Sequence, residues 1–344
     1  MNFSAYADES NTETGKKTPA PPTKTMQAKE SVHSTAMTSS KASDPAYLME
    51  NLIYYPHRGV FNVTLRYYRP LTDNGQSFDY TGTSTSTSST QYDEIVPTLT
   101  YGITHSIRAS LAVTNVVDST TSSTNSKSGI GTQNSTNGFS NPTLGLTWRY
   151  SNGMDSWPIA EAVLSYVPGL TSKNSAVTGN TTTPAQIGNE GGPTAISFAL
   201  PFFWHIENSE YELAPTLNSY SSYTSQGTTL GSTDNYNSYL TEALAAYYRY
   251  HFDSKWYAQL QLSYELNYTY QTQTQAANAP IIQRALIEQV SPTLRVGWVP
   301  LTWIELDLFL ANSGSTTNST PSTGTSTSSN SSQLQASFQA RAEF

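Results

Sequence analysis

The sequence has no cysteine and few charged residues. Without a cysteine among its 344 residues, the chain forms neither a disulfide scaffold nor a thiolate metal site. Charged residues make up 12% of the chain, which is about half of the usual share. The net charge of −8 and the lack of a basic patch argue against a nucleic-acid partner.

Long apolar runs are also missing, since no stretch approaches the roughly 18 apolar residues of a transmembrane helix. The mean hydropathy of −0.44 resembles that of a soluble protein. Transmembrane β-barrels have a similar average, however, because their strands alternate apolar and polar residues. The chain is instead rich in serine, threonine and asparagine, and it contains 23 tyrosines.

The first 55 residues differ from the rest of the chain. Ala5-Tyr6-Ala7 before Asp8 fits a signal-peptidase site, although no apolar segment precedes it, and a chance triplet is the alternative. Residues 8–50 are rich in lysine and show almost no apolar periodicity. We therefore expect a signal-peptide remnant over 1–7, a disordered periplasmic tail or plug over 8–55, and a transmembrane β-barrel over 56–344.

From residue 59 onward, apolar residues recur at every second position, which is the period of a β-strand. Val63 and Leu65, for example, alternate with Thr64 and Arg66. Runs of this kind have about the length that a tilted strand needs to cross a bilayer. We count twelve of them, at 60–69, 92–101, 106–117, 139–150, 157–168, 194–206, 210–220, 239–250, 256–269, 284–298, 303–311 and 333–344.

The connections between these runs alternate in length. Short ones at 102–105, 151–156, 207–209, 251–255 and 299–302 alternate with long ones at 70–91, 118–138, 169–193, 221–238, 270–283 and 312–332. An even number of strands with loops sorted in this way is typical of outer-membrane barrels. We therefore predict an all-β, antiparallel transmembrane β-barrel with short periplasmic turns and long, mobile extracellular loops.

The tryptophans give independent support for a membrane boundary, because an indole ring is favoured at the interface between lipid and water. All six lie at or near strand ends beside the short turns: Trp148, Trp157, Trp204, Trp256, Trp298 and Trp303.

The tripeptide Pro-Thr-Leu occurs four times, at 97–99, 142–144, 215–217 and 292–294. The register places each threonine toward the lumen and each proline and leucine toward lipid. Because proline has no N–H to donate to a neighbouring strand, we expect a local bulge at each site.

Two segments resemble an outer-membrane transporter family named after the meta-pathway of phenol degradation. GFSNPTLGLTWRY at 138–150 is similar to its strand G-x-x-D-P-T-L-G-L-K-Y-R, and YGITHSI at 101–107 to its periplasmic turn Y-G-L-T-D-x-L. Asn141 and His105 stand where the family has aspartates. The resemblance covers roughly 59–344 and implies a channel for small, aromatic solutes without a catalytic residue.

The register also turns charged and aromatic side chains into the lumen. Rings of arginine in a pore select anions, and rings of acids select cations. Alternatively, arginines and acids pair across neighbouring strands and fill the lumen, as in small barrels. The predicted pore-lining residues are Arg66, Arg108, Arg149, Arg249, Arg295, Arg341, Glu94, Glu161, Glu212, Glu265, Glu305, Asp307, Phe203, Tyr247 and Tyr257.

No catalytic or metal-binding pattern accompanies these residues. His57, His105, His205 and His251 all lie at the short-turn end, in separate turns without the spacing of metal ligands. The catalytic histidine of a surface enzyme would instead lie at the long-loop end, beside a nucleophile or an acid. We therefore predict no enzymatic activity, no metal and no cofactor.

Together, these features predict an outer-membrane channel of a Gram-negative bacterium that passes small aromatic or anionic solutes through a narrow charged lumen. The expected partners are outer-membrane lipid, small solutes and the barrel assembly machinery, which would recognise the C-terminal Phe344. The alternative is a non-conducting structural or adhesion barrel at the surface, within a larger envelope complex. A secreted β-sandwich lectin is a third hypothesis, against which the sorted loops argue.

Overall fold

The computed structural model describes residues 56, 58–79, 83–126, 129, 131–153, 157–170, 173–179, 184–190, 193–226, 233–266, 268–274, 281–321 and 326–344. The chain divides into two compact units, Met1–Ala42 and Ser43–Phe344, and every described residue belongs to the second. The predicted signal-peptide remnant, the predicted tail and His57 lie outside the described residues and stay predictions.

The described chain consists of β-strands joined by turns, and every strand pairing is antiparallel. In this part of the chain, no helix is long and apolar enough to cross a membrane. The strands are β1 (Phe61–Asp79), β2 (Ser84–Gly102), β3 (Ile107–Ala112), β4 (Asn115–Asn125), β5 (Gly131–Phe139), β6 (Thr143–Asn152), β7 (Ile159–Val167), β8 (Lys173–Gly179), β9 (Pro184–Glu190), β10 (Ala195–Ala199), β11 (Phe202–Ile206), β12 (Ser209–Tyr220), β13 (Tyr223–Gln226), β14 (Thr233–Tyr236), β15 (Tyr239–His251), β16 (Trp256–Leu266), β17 (Tyr268–Thr274), β18 (Ile281–Leu301), β19 (Ile304–Pro321) and β20 (Thr327–Glu343).

These strands form a closed barrel whose wall is twelve strands around. β1 pairs with β2 on one side and with β20 on the other, so the first and last strands close the sheet. Three wall strands are interrupted once within the described residues, as β3–β4, β5–β6 and β10–β11. β16 and β17 belong to one wall strand, on either side of position 267, which lies outside the described residues. β8, β9, β13 and β14 extend the wall at the long-loop end. The predicted fold, a twelve-stranded antiparallel barrel with short turns at one end, is confirmed.

Apolar side chains face outward along each wall strand, and polar ones face the lumen. In β1, Leu65 is 50% exposed whereas Asn62 is 4% exposed. Large apolar side chains such as Leu164, Leu260 and Leu308 form an exposed belt around the barrel, as a surface in contact with lipid requires. The exposed tryptophans at the short-turn end border this belt: Trp148, Trp157, Trp256, Trp298 and Trp303.

The long connections contain much more strand than the sequence analysis predicts. β1 continues to Asp79 and β2 starts at Ser84, so most of the loop expected over 70–91 is a hairpin. Serine and threonine hydroxyls pair across these extensions, as in Ser77–Ser329 at 2.9 Å and Ser315–Ser331 at 2.7 Å. Such cross-strand pairs and the strand preference of threonine explain why a low-complexity segment forms regular strands here.

The Pro-Thr-Leu sites do not all carry the expected bulges. At Pro97, Pro215 and Pro292, the strand with the proline has as many residues as the neighbouring strand between the pairs on either side. Because no residue is inserted, these three sites are not bulges. Next to Pro215, the neighbouring strand is interrupted between β10 and β11, and the Leu200 N–H donates to the proline carbonyl at 3.0 Å. The partner strand is thus interrupted at the position where the proline has no N–H to donate. Near Pro142, the wall strand formed by β5 and β6 has one residue more than the neighbouring strand formed by β3 and β4. The expected bulge is therefore present at this site and at none of the other three.

Tyr257 of β16 lies against Gly297, its direct partner on β18. A Cβ atom at position 297 would overlap the ring of Tyr257, so only glycine leaves room for the phenol in this orientation. Tyr257 is fully buried, and its hydroxyl reaches past β18 to the carboxylate of Asp307 on β19, at 2.5 Å.

We expect Gly297→Ala to lower the free energy of unfolding by about 1–3 kcal/mol, because the new methyl group displaces the Tyr257 ring. The measurement is the urea midpoint of protein refolded into liposomes, followed by the loss of heat-modifiable mobility in gels. Gly314→Ala on β19 is the matched control, since the nearest atom to its Cβ would be the Ser331 carbonyl oxygen at 3.9 Å. Equal midpoints for the two variants would contradict the role of the ring.

Candidate functional site

The short-turn half of the lumen holds a network of charged and aromatic side chains, which we call the lumen network. It consists of three clusters, centred on Glu161, on Glu210 and on Tyr257. All three central side chains are 0–1% exposed. Because ionised groups are costly to bury alone, each carboxylate in the network needs a cationic or hydrogen-bonding partner.

The first cluster joins two arginines to one carboxylate. Arg149 on β6 donates to Glu161 Oε1 on β7 through Nε at 2.9 Å and Nη2 at 2.6 Å. Arg108 on β3 donates to the other oxygen, Oε2, at 3.2 Å. Glu161 therefore holds three strands together from inside the lumen, with both of its oxygens occupied.

The second cluster surrounds Glu210, the first inward residue of β12. His205 Nδ1 lies 3.4 Å from Glu210 Oε1, and His251 Nε2 lies 3.2 Å from Oε2. Arg249 Nε is 4.0 Å from the same carboxylate, and this arginine also donates twice to Gln259 Oε1, at 3.1 and 2.7 Å. Two of the histidines assigned to separate turns thus meet at one carboxylate.

The third cluster links β16, β18, β19 and β20. The Tyr257 hydroxyl lies at hydrogen-bond distance from both Glu305 and Asp307, which share its one proton. Arg295 Nη2 donates to Glu305 Oε1 at 3.1 Å and to Asp307 Oδ2 at 2.7 Å. Glu305 also forms an ion pair with Arg341 of β20. This is the most highly charged part of the lumen wall.

Guanidinium groups and aromatic rings alternate along the same wall. The Arg249 guanidinium carbon lies 4.1 Å from the centre of the Tyr257 ring. Arg295 lies between this ring and Phe309, at 5.4 and 4.9 Å. Arg66 continues the series at 4.0 Å from Phe309. Cation–π contacts of this kind fix the planes of the guanidinium groups.

The other predicted pore-lining residues face the lumen outside these clusters. Phe203 and Tyr247 flank Glu212, to which both are directly paired across strands. Glu94 lies opposite Tyr68 on β1, toward the long-loop end. Glu265, on β16, also lies in the long-loop half of the lumen, four residues beyond Gln261 along the same strand. Whether these residues line an open pore stays a prediction.

A cavity of about 560 Å³ is lined by residues of β1, β2 and β4. It is located where the pairing of β1 with β2 is interrupted, between the pairs Tyr68–Glu94 and Asn74–Ser89. Its lining is mainly polar and includes Asp73, Asp93 and Thr120.

Several members of the lumen network escaped the sequence analysis. Glu210 and Phe309 have the same strand parity as Glu212 and Asp307, so the alternation already indicated that they face inward. Ser337 and Gln259 have the inward parity as well, but as uncharged residues they were not counted among the pore-lining residues. His105 is exposed in its turn, and among the described residues no group of three or more histidines or acids, His205, His251 and Glu210 included, is arranged to hold a metal ion.

No protein-family model and no curated protein matches the chain. The structure is similar to an outer-membrane channel from Pseudomonas putida F1, with a TM-score of 0.55 at 13% identity over 85% of this chain and 97% of that chain. It is also similar to the transport unit of the autotransporter AIDA-I from Escherichia coli, with a TM-score of 0.52 at 11% identity over 90% and 98% of the chains. At these identities, the similarity shows the fold alone.

The closed barrel and its outward-facing apolar belt place the protein in the outer membrane of a Gram-negative bacterium. Membership in the phenol-degradation family is not confirmed and stays a prediction.

We expect Glu161→Gln to lower the free energy of unfolding by about 3–5 kcal/mol, because it leaves the buried Arg149 without a carboxylate. The unfolding midpoint in urea, measured in liposomes, tests this. Glu242→Gln is the matched control, since Glu242 faces outward and is exposed; it should change stability by less than about 0.5 kcal/mol. The role of the ion pair would be refuted by a Glu161→Gln midpoint equal to that of the control.

Proposed function

We propose that the protein is a passive channel that carries small solutes across the outer membrane, with the lumen network as its narrowest part. The proposal includes no catalytic step, because none of the described histidines lies at the long-loop end, where a surface enzyme would need its base.

The main support for this proposal is that the ion pairs join strands that are close together in the barrel wall. Arg149 and Glu161 belong to adjacent wall strands, as do Arg295 and Asp307. The pair of Arg108 with Glu161 joins strands that are two apart. In a barrel of twelve strands, opposite walls are six strands apart, so pairs of this kind follow the wall and do not themselves bridge the lumen.

The charges in the lumen favour cations in bulk conduction. Six inward arginines face eight inward carboxylates: Arg66, Arg108, Arg149, Arg249, Arg295 and Arg341 against Glu94, Glu161, Glu210, Glu212, Glu265, Glu305, Asp307 and Glu343. The arginines concentrate in the network, whereas Glu94, Glu212 and Glu265 belong to the wall outside it. A mobile cation therefore meets more acids than arginines along the lumen.

The aromatic side chains of the lumen agree with aromatic solutes, which is the finer function that the family resemblance implies. Tyr68 and Tyr247 face the same interior as the charged residues and are half-buried, whereas Phe203 and Phe309 are buried. Planar rings along a polar passage offer stacking surfaces to a planar solute without closing the passage to water.

A second candidate is a non-conducting barrel with a structural or adhesive role. The dense pairing in the network favours it, because arginines and acids that neutralise each other also fill space. Under this hypothesis, the hairpins at the long-loop end carry the function.

Single-channel recording in a planar bilayer separates the two candidates. A channel gives steady openings, and under a KCl gradient its reversal potential has the sign of cation preference, because acids outnumber arginines in the lumen. A folded, heat-modifiable barrel that stays silent would support the structural role instead.

We expect Glu265→Gln to lower the ratio of K⁺ to Cl⁻ permeability by about twofold, since it removes one of the few acids outside the network. The reversal potential of the variant provides the measurement. Glu242→Gln, whose side chain faces away from the lumen, should leave the ratio unchanged. A shift of equal size in both variants would show that the lumen acids do not set the selectivity.

The tail over 8–55 enters the proposal as a plug or a disordered segment. If it is a plug, deletion of residues 8–50 raises the single-channel conductance, because the narrowest cross-section widens. Unchanged conductance in a folded deletion variant would exclude plugging.

A further inference from the structure

We propose that Arg66 is the centre of a binding subsite in the lumen for an aromatic monocarboxylate. The proposal rests on the channel function and names the class of solute that the channel retains on its passage.

The charge of Arg66 distinguishes it from the other arginines of the lumen. Each of the other five has a carboxylate partner: Arg108 and Arg149 have Glu161, Arg249 has Glu210, Arg295 has Glu305 and Asp307, and Arg341 has Glu305. Within the described ranges, no carboxylate lies at ion-pair distance from the Arg66 guanidinium. Asp307 acts on it from farther away, but this carboxylate already accepts bonds from Tyr257, Arg295 and Gln339.

The hydrogen-bonding capacity of Arg66 is also only partly used. Its Nε and Nη2 donate to a single acceptor, Ser337 Oγ, at 3.3 and 3.1 Å. A guanidinium has five N–H donors in one plane. Because Arg66 is only half-buried, the remaining donors are accessible from the lumen. Two parallel N–H groups match the two oxygens of a carboxylate, which is the geometry of the strongest arginine contacts.

Aromatic rings hold this guanidinium in place. Its central carbon lies 4.3 Å from the centre of the Tyr68 ring and 4.0 Å from that of Phe309. Tyr247, across the lumen on β15, is near enough to interact electrostatically with Arg66. The subsite thus offers a cation that the buried Phe309 orients, with the half-buried rings of Tyr68 and Tyr247 beside it. This arrangement suits a solute with a carboxylate at one end and a planar apolar body.

The surrounding acids limit the solute to one negative charge. Glu94 is the direct cross-strand partner of Tyr68, and Asp307 lies on the other side of Arg66. A second carboxylate on the solute would meet these acids, and the neighbouring Arg295 is already paired with Glu305 and Asp307, so a dicarboxylate is disfavoured.

Calorimetric titration of the full chain in detergent with sodium benzoate tests the subsite independently of conduction. We expect saturable binding to wild type and affinity lower by about tenfold or more in Arg66→Gln, since a charge-assisted contact is lost. Arg69→Gln is the matched control, because Arg69 lies on the same strand and its side chain is 66% exposed. Arg66→Lys keeps the charge and loses the planar pair of donors, so its affinity should fall by about threefold or more.

Acetate and phthalate serve as two comparison ligands in the same titration. Acetate should bind at least about tenfold more weakly than benzoate, because it lacks the ring, and phthalate should bind more weakly because it carries a second charge. The proposal is overturned if folded Arg66→Gln and Arg66→Lys bind benzoate as wild type does, or if acetate binds as tightly as benzoate. Binding by a protein that does not conduct would refute the channel and leave the subsite intact.

Discussion

Every feature of this protein depends on the need to pair backbone N–H and C=O groups where no water is available. In lipid, an unpaired strand edge costs several kcal/mol per group, so a sheet that crosses the membrane has to close. The pairing of β1 with β20 meets this requirement. Closure, together with the two-residue period of a strand, then sends every second side chain into an enclosed lumen. The charged interior is therefore a consequence of the wall.

Buried charged groups in the lumen are stabilised by pairing with residues on nearby strands. Glu161 satisfies two arginines at once, and the Tyr257 hydroxyl connects two acids that Arg295 also binds. A single glycine makes the last arrangement possible, since Gly297 leaves space for the ring. Backbone register and side-chain chemistry are coupled at this point: the residue opposite Tyr257 determines whether its hydroxyl reaches β19.

The strand number, the direction of side chains and the sorting of turns followed from the sequence because each depends only on local periodicity. Parity also indicated the inward residues, including Glu210 and Phe309, which had been overlooked. The partners within the lumen did not follow, because they depend on the stagger between strands, which no single strand encodes. Arg108 could have met several acids, and the stagger brings it to Glu161. The strand extensions were missed because serine and threonine are typical both of loops and of paired hydroxyl ladders.

Long-range and short-range electrostatics have different roles in such a lumen. The excess of acids acts over distances at which salt screens it, with a Debye length of about 10 Å at 0.1 M. The contact that Arg66 offers acts over a few ångströms between rings that hold the guanidinium in one plane, where screening is weak. A barrel can therefore prefer cations in bulk conduction and still retain one kind of anion. Added salt would weaken the first property much more than the second, because only the first depends on the field of the whole lumen.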